Sequence, residues 1–198
     1  MSAPPAPPTS ALRRGLDLLY RGSGALGALF LVAICVVVLL QVGANVVDKF
    51  AEWVTGAPIG LVVPSYAEFA GFFLAASSFL ALAYTLRHGD HVRVSLLVRR
   101  LAGGPRRAVE LWCTGVAALL SGYFAYFAIR LAIEAWRFGD LSPGLVAVPI
   151  WIPQSSLALG LIILTVALVD EFETVRRGGE AAYMAAERQL EAQWEHGE

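Results

Sequence analysis

The stretch that decides the fold is residues 22–47, "GSGALGALFLVAICVVVLLQVGANVV", which contains no charged residue. At 1.5 Å per residue, a helix of about 26 residues is about 39 Å long and crosses the roughly 30 Å hydrocarbon core of a bilayer. The run is longer than the apolar segment of a signal peptide, and no small-residue cleavage site clearly ends it. We therefore predict a retained transmembrane helix.

Three further uncharged runs follow, and they end at Leu86, Ile129 and Val169. Prolines crowd the start of the last run, so we expect its helix to begin near Ile150. Ser65, just before the second helix, is a plausible N-terminal cap. The predicted spans are about residues 23–47, 66–86, 110–136 and 150–169.

The composition agrees with a membrane protein. The chain is 57% apolar and 16% charged, with a mean hydropathy of +0.63, whereas soluble domains are about 45–50% apolar and 25% charged. The net charge of −1 indicates no particular partner. Cys35 and Cys113 both lie in apolar stretches. We interpret them as buried thiols and not as a disulfide framework.

The distribution of basic residues predicts the orientation. The segment before the first span holds three of the 15 basic residues, the loop between spans two and three holds six, and the C-terminal tail holds three. The positive-inside rule places these segments in the cytoplasm. The predicted fold class is an all-α membrane protein with four transmembrane helices, amphipathic membrane-surface helices and both termini cytoplasmic.

The flanking segments complete the predicted organisation. Residues 1–9 are Pro-rich and read as a disordered tail, residues 10–175 as the transmembrane domain, and residues 176–198 as a polar C-terminal tail. Leu12, Leu16 and Leu19 share one helical face. That pattern predicts an amphipathic helix on the membrane surface before the first span.

The loop after span two reads "RHGDHVRVSLLVRR" over residues 87–100. His88, Asp90 and His91 do not complete a set of metal ligands, so no metal and no cofactor is predicted. The arginines lack interleaved aromatic residues, which disfavours nucleic acid and favours anionic phospholipid as the partner. Residues 92–101 fit the period of both a helix and a strand, and we favour a helix lying on the membrane. In this interpretation Arg87, His91 and Arg93 hold the loop against the membrane face or a partner subunit.

Polar residues within or beside the spans have two possible roles. Gln41 and Asn45 are four residues apart and should face protein, either in the packing face of this chain or in a partner contact. Glu68 either contacts a partner or is a solvated carboxylate at a helix N-terminus, where the helix dipole favours it. Arg130 and Glu134 are also four apart, and we favour a surface ion pair over an anchor to another helix.

Short motifs resemble the small membrane subunit of TRAP transporters, the DctQ-like family. The segment "LRHGDHVRVSLLVRRL" resembles that family's loop after the second span, through Arg87, Gly89, His91, Val92 and Val94. Residues 140–160, "DLSPGLVAVPIWIPQSSLALG", resemble the family's start of span four through Ser142, Pro149 and Trp151. An acidic residue is also common in the family near the start of span two, where this chain has Glu68. Ser95 departs from the family, where an acidic residue often stands.

The resemblance implies a tripartite, sodium-coupled importer of an organic acid in the bacterial inner membrane. A periplasmic DctP-like solute-binding protein would capture the solute, and a large DctM-like membrane subunit would carry it. This chain would stabilise the large subunit and help to dock the binding protein.

Two other classes of function are weighed from the residues. An enzyme is disfavoured, because no nucleophile–base pairing, phosphate loop or haem-binding histidine lies in the spans. A self-sufficient four-span carrier acting as a homodimer needs ionisable groups deep in the membrane. The charged residues here lie only near span ends. The carrier is therefore the alternative to a structural subunit.

Overall fold

The computed structural model describes residues 11–88 and 104–178. These ranges form four helices, each long and apolar enough to cross a membrane. Their bounds are Ala11–Thr55 (α1), Tyr66–His88 (α2), Gly104–Phe138 (α3) and Trp151–Arg176 (α4). The prediction of an all-α membrane protein with four spanning helices is confirmed. The predicted helix in the middle loop lies outside the described residues.

The first helix is much longer than the predicted first span. It has 45 residues and includes the segment that we assigned to a separate surface helix. Tertiary packing explains the continuity, because Tyr20 is buried and Leu16 packs against the same core cluster. Ser23 also donates a hydrogen bond to the Tyr20 carbonyl at 3.0 Å and stays within the helix. The amphipathic segment is therefore the first part of α1.

The helices lie in a row in the order α1, α2, α4, α3. The helix α2 packs between α1 and α4, and α3 packs against α4, whereas α1 barely touches α4. The pairs α1–α2 and α3–α4 are antiparallel, whereas α2 and α4 run in the same direction. The arrangement is an open layer, so the outer sides of α1 and α3 have no neighbour within the described chain.

Small residues allow the helices to approach closely. A Cβ atom added to Gly160 of α4 would lie 2.5 Å from the backbone carbonyl carbon of Phe79 in α2. At the α3–α4 contact, Gly122 faces Thr165, and the hydroxyls of Ser121 and Thr165 are 2.9 Å apart. This is the usual way in which transmembrane helices gain packing energy.

The two ends of the layer differ. The end that carries residues 11 and 178 is here named the termini end. There Arg107, near the start of α3, donates a hydrogen bond to the carbonyl of Arg176 at 2.6 Å. The opposite end is named the loop end and consists of residues 56–65 and 139–150. These two loops meet where the Val146 N–H donates to the Ser65 hydroxyl at 3.0 Å.

The structure corrects the prediction that the two cysteines are buried. Both are free, as expected, but Cys35 and Cys113 are exposed on the helix surface and not buried. An apolar stretch is buried in a soluble core, whereas in a membrane protein the same stretch can face lipid. The apolar surroundings of a residue in the sequence therefore do not show whether it is buried in protein or faces lipid.

Candidate functional site

The described residues contain no group of three or more His, Cys, Asp or Glu side chains that could hold a metal ion. Their polar side chains instead form clusters at the two ends of the layer. We name them the Arg87 cluster, at the termini end, and the Glu68 cluster, at the loop end.

The Arg87 cluster joins three helices through one guanidinium. Arg87, near the end of α2, pairs with Asp170 of α4 at 2.8 Å and with Asp17 of α1 at 3.1 Å. Its side chain is 13% exposed, compared with 21% for Asp170 and 43% for Asp17. Two charge-assisted hydrogen bonds therefore satisfy Arg87 where the three helices meet.

An aromatic ring completes this cluster. The guanidinium carbon of Arg87 lies 5.0 Å from the centre of the Tyr20 ring, within the range of a cation–π contact. Tyr20 is 2% exposed and belongs to the core cluster between α1, α2 and α4. Glu171, next to Asp170, is also 2% exposed. The cluster thus places charged groups inside the protein at the boundary of the membrane-spanning region.

The structure differs from our interpretation of Arg87. We expected its side chain to reach lipid headgroups or a partner, but it turns inward to Asp17 and Asp170. Two carboxylates of its own chain lie within hydrogen-bonding distance, and each accepts a charge-assisted bond from the guanidinium. Asp17, Tyr20 and Asp170 were not expected to take part in a site. A signal existed, because Arg87 and Asp170 each directly follow an uncharged run that ends at the same side of the membrane.

The Glu68 cluster lies at the start of α2. The Glu68 N–H donates to the Ser65 carbonyl at 3.0 Å, and its side chain extends toward the loop between α3 and α4. A Cβ atom on Gly144 would collide with the Glu68 carboxylate and would lie 2.6 Å from the Ser65 hydroxyl. The Glu68 Oε2 atom is buried and has no hydrogen-bond partner within the described residues. Glu68 is therefore packed under a loop of its own chain.

Ser65 occupies the N-cap position of α2, as expected, since its carbonyl accepts the first two backbone bonds of the helix, from Glu68 and Phe69. Its hydroxyl does not cap the helix. The backbone φ angle is +57°, and the hydroxyl accepts a hydrogen bond from the Val146 N–H. Ser65 therefore connects the two loops of the loop end.

The motif residues before α4 shape the second of these loops. Ser142 is buried, and its hydroxyl accepts a hydrogen bond from the Val148 N–H at 3.2 Å. Pro149 pairs with Leu141 in an isolated antiparallel bridge. Trp151 is the first residue of α4, one position after the expected start, and lines an open groove with Trp136. These residues position the loop that covers Glu68.

The side chains of Gln41 and Asn45 form a hydrogen bond with each other, and Gln41 also binds the backbone of the loop end. The Gln41 side-chain amide donates to the Asn45 oxygen at 3.0 Å, and its own oxygen accepts from the Val63 N–H at 2.9 Å. Gln41 is buried, whereas Asn45 is exposed. Asp48, seven residues after Gln41, accepts a hydrogen bond from the Gly60 N–H at 2.6 Å. We had not singled out Asp48, which, like Gln41, binds the backbone of the loop after α1.

The remaining candidate residues fall into two groups. Arg130 and Glu134 form an exposed ion pair at 3.2 Å, as favoured from their spacing. Gly89, His91 and Arg93 lie outside the described residues, so their predicted roles and the absence of a metal there stay predictions. The Arg87 and Glu68 clusters fasten helices and loops of this chain to one another.

Comparison with known proteins agrees with this structural character. The profile of the family described as "Tripartite ATP-independent periplasmic transporters, DctQ component" matches residues 34–177. This match covers most of the chain, including the Glu68 cluster and the helices α2, α3 and α4. The chain belongs to the DctQ family. The resemblance noted from the sequence motifs is thereby confirmed, and the family is a transporter component and not a family of enzymes.

A curated relative supports the same assignment. This DctQ-family chain is 24% identical over 129 residues to the ectoine TRAP transporter small permease protein TeaB of Halomonas elongata. The match covers 63% of this chain and 63% of the relative, so the chain spans less than two thirds of that protein. No solved structure matches the chain. The assignment therefore rests on sequence, and the fold on the four helices described above.

Proposed function

We propose that this chain is the small scaffold subunit of a TRAP transporter and has no transport site of its own. The observation that supports this most strongly is the use of its charged groups. Arg87 pairs with both Asp17 and Asp170 at the termini end. No span has a charged residue in its middle. A carrier needs exchangeable ionisable groups deep in the membrane, whereas a scaffold needs helices that stay fixed.

The open row of helices also suits a scaffold. The helices α1 and α3 lie at the two edges of the row and expose large apolar side chains, including Leu29, Leu39, Leu119 and Phe124. Within a membrane such faces contact lipid or another transmembrane protein. A flat layer offers a broader apolar surface than a closed bundle of the same four helices does. This shape suits lateral attachment to a larger membrane subunit.

The proposed partners follow from family membership. They are a large DctM-like membrane subunit, which carries the solute and couples it to sodium, and a periplasmic DctP-like solute-binding protein, which delivers it. We place the complex in the bacterial inner membrane and propose an organic acid as the solute. The relative is named for ectoine. Solute selection in our proposal belongs to the two partners, since no charged residue lies in the middle of any span of this chain.

Co-purification tests the proposal. The tagged full chain is extracted from membranes of its own organism in a mild detergent, and bound proteins are identified by mass spectrometry. We expect a larger polytopic membrane protein in stoichiometric amount. The control is an unrelated four-span protein with the same tag, which should not retain that partner. Recovery of the chain only as a homodimer would support the self-sufficient carrier instead.

A further inference from the structure

One face of α3 carries polar side chains from the middle of its span to the loop end. Tyr123, Tyr126, Arg130 and Glu134 follow one another at spacings of three and four residues, so they share one helical face. Tyr123 is 57% exposed and Tyr126 56%, and the side chains of Arg130 and Glu134 are 57% and 51% exposed. We name these four residues the α3 polar face. It points away from α4, the helix against which α3 packs in the described chain.

Helix contacts place Tyr123 near the middle of the bilayer. Trp151 and Asp170 lie near the two ends of the span formed by α4, 19 residues apart. That separation is about 29 Å, close to the roughly 30 Å hydrocarbon core. The Ser121 hydroxyl of α3 donates to the Leu161 carbonyl at 3.4 Å, and Leu161 is halfway between those two ends. Tyr123 follows Ser121 by two residues, so its backbone lies about 3 Å from this middle level.

The hydroxyl of Tyr123 has no polar neighbour on its own helix face within one turn that is free to bind it. The Tyr123 ring contacts Phe127, with centroids 4.7 Å apart, and Phe124 at 5.9 Å, and neither residue can hydrogen-bond to a hydroxyl. Tyr126 interacts with Arg130 instead. Lipid tails offer no hydrogen bond, and lipid-facing tyrosines are concentrated at the membrane interfaces and not at the centre. A protein neighbour therefore suits this hydroxyl better than lipid does.

The charged pair of the same face does not require a partner. Arg130 and Glu134 bind each other at 3.2 Å. Arg130 is nine residues beyond Ser121, about 14 Å toward the loop end, so its long side chain reaches headgroups and water. The argument for a protein neighbour thus rests on the middle of the bilayer, where Tyr123 lies.

The opposite edge of the row differs at this depth. In residues 25–40 of α1, the exposed side chains are apolar apart from the thiol of Cys35, and they include Leu29 and Val32. Such a surface is compatible with lipid and with protein alike. The α1 edge therefore carries no comparable reason for a protein neighbour.

The α3 polar face also has the side-chain types of a protein interface. Tyrosine and arginine are enriched among the residues that contribute most to binding between proteins. The ring contacts of Phe127 with Tyr123 and with Tyr126, at 4.7 and 5.3 Å, hold these side chains in place. A surface ordered in advance loses less entropy when it binds.

We propose that α3 attaches this chain to the large membrane subunit, through Tyr123 and Tyr126. A transmembrane helix of that subunit presents a hydrogen-bonding side chain to the Tyr123 hydroxyl near the middle of the bilayer. A second copy of this chain suits the face less well. Two copies have the same orientation in the membrane, so a twofold contact sets Arg130 beside Arg130. This inference rests on the proposed scaffold role and adds the surface that performs it.

Photo-cross-linking from single positions tests the proposal. Benzoylphenylalanine is introduced into the full chain in its own organism, at Leu119 or Phe127, which lie one turn on either side of Tyr123. Leu29 and Val32 are the matched positions on the α1 edge. After irradiation of intact membranes, adducts are identified by mass spectrometry. We expect Leu119 and Phe127 to give adducts with the polytopic protein that co-purifies with the wild-type chain, in higher yield than the α1 positions do.

Four results would overturn the inference. An equal or higher yield from the α1 positions would contradict attachment through α3 and leave the scaffold role intact. Adducts between two copies of the chain from Leu119 and Phe127 would identify a homodimer surface. No protein adduct from these two positions, in membranes where the wild-type chain retains its partner, would assign the face to lipid. A wild-type chain that retains no polytopic partner would refute the scaffold role, and this inference with it.

Removal of one oxygen atom tests the hydrogen bond itself. Tyr123→Phe should lower retention of the partner in detergent roughly threefold, the effect of one average hydrogen bond between transmembrane helices. Tyr66→Phe is the matched control, because Tyr66 is the first residue of α2 and lies at the loop end, where water is available. This control should retain the partner as the wild type does. Thermal unfolding of the isolated chain should be equal for both variants, and undiminished retention by Tyr123→Phe would contradict the proposed bond.

Discussion

Arg87, one residue before the end of α2, donates a hydrogen bond to Asp170 of α4 at 2.8 Å, although 83 positions separate them in the chain. The same guanidinium binds Asp17 of α1 at 3.1 Å. Three of the four helices are therefore joined at the termini end by a single side chain. This joint fixes the relative positions of α1, α2 and α4 at that end, as the proposed scaffold role requires.

The two carboxylates of this cluster should contribute unequally. Asp170→Asn should lower the free energy of unfolding by about 1.5–3 kcal/mol, the value of a charge-assisted hydrogen bond of a mostly buried group. Asp17→Asn should cost less than about 1 kcal/mol, because Asp17 is more exposed and solvent screens it. Circular dichroism during denaturation of the full chain in detergent measures both.

Arg130→Met is the control for that comparison. Its pair with Glu134 is exposed, so the substitution should change stability by less than about 1 kcal/mol. Equal effects of Asp170→Asn, Asp17→Asn and Arg130→Met would contradict the assignment of Arg87 as the joint of the layer.

Close packing at Gly160 gives a second prediction. Gly160→Ala should destabilise the chain by on the order of 1–3 kcal/mol, because the added Cβ would lie 2.5 Å from the Phe79 backbone and would force α2 and α4 apart. Gly43→Ala is the matched control. It adds the same atom to a helix in open space and should be neutral or stabilising. Thermal unfolding of the two variants compares them, and a harmless Gly160→Ala would show that the helices are packed differently.

The sequence predicted the helices well and their partners poorly. Charge-free runs located four spans, because the cost of placing a charge in hydrocarbon limits where charges occur. They did not predict that α1 would begin at Ala11 and end at Thr55, since nothing in residues 12–21 distinguishes a surface helix from a packed one. Packing of Tyr20 decides this, and it depends on residues far away in the chain.

The candidate sites show the same limit. Glu68 and Gln41 were singled out as polar residues within or beside the spans, and Ser142 as a motif residue, but the sequence could not show that each binds or packs against a loop of its own chain. Arg87 was expected at the membrane surface, because its local sequence is a basic loop. Its actual partners lie 70 and 83 positions away. Opposite charges at equivalent ends of two spans are the pattern that would have predicted the pair.

The Glu68 cluster should show coupling between two residues. Gly144→Ala should destabilise the loop before α4, because its Cβ would occupy the place of the Glu68 carboxylate. Glu68→Ala removes that carboxylate, so the double variant should lose less stability than the sum of the two single variants, by about 0.5–3 kcal/mol. Gly71→Ala, which has open space around it, is the control for a glycine substitution in this region. Additive effects would mean that Glu68 and Gly144 are not in contact.

Orientation in the membrane is the fourth prediction. On a background with Cys35→Ser and Cys113→Ser, a cysteine at Leu145 in the loop end should react with an impermeant thiol reagent in intact spheroplasts. A cysteine at Ser10 should react only after permeabilisation. Leu145 is 86% exposed, so its labelling reports sidedness and not burial. The reason is that twelve of the 15 basic residues lie at the termini end or in segments connected to it. Labelling at Ser10 in intact spheroplasts would reverse the assignment.

The measurement that tests the central claim most directly is uptake by proteoliposomes. The purified full chain is reconstituted alone, with a sodium gradient and a panel of labelled organic acids and ectoine, and in parallel with its co-purified membrane partner and a cognate binding protein. We expect no uptake by the chain alone and uptake by the complete set, because this chain has no Asp, Glu, His, Lys or Arg in the middle of any span. Sodium-driven uptake by the chain alone would contradict the scaffold account.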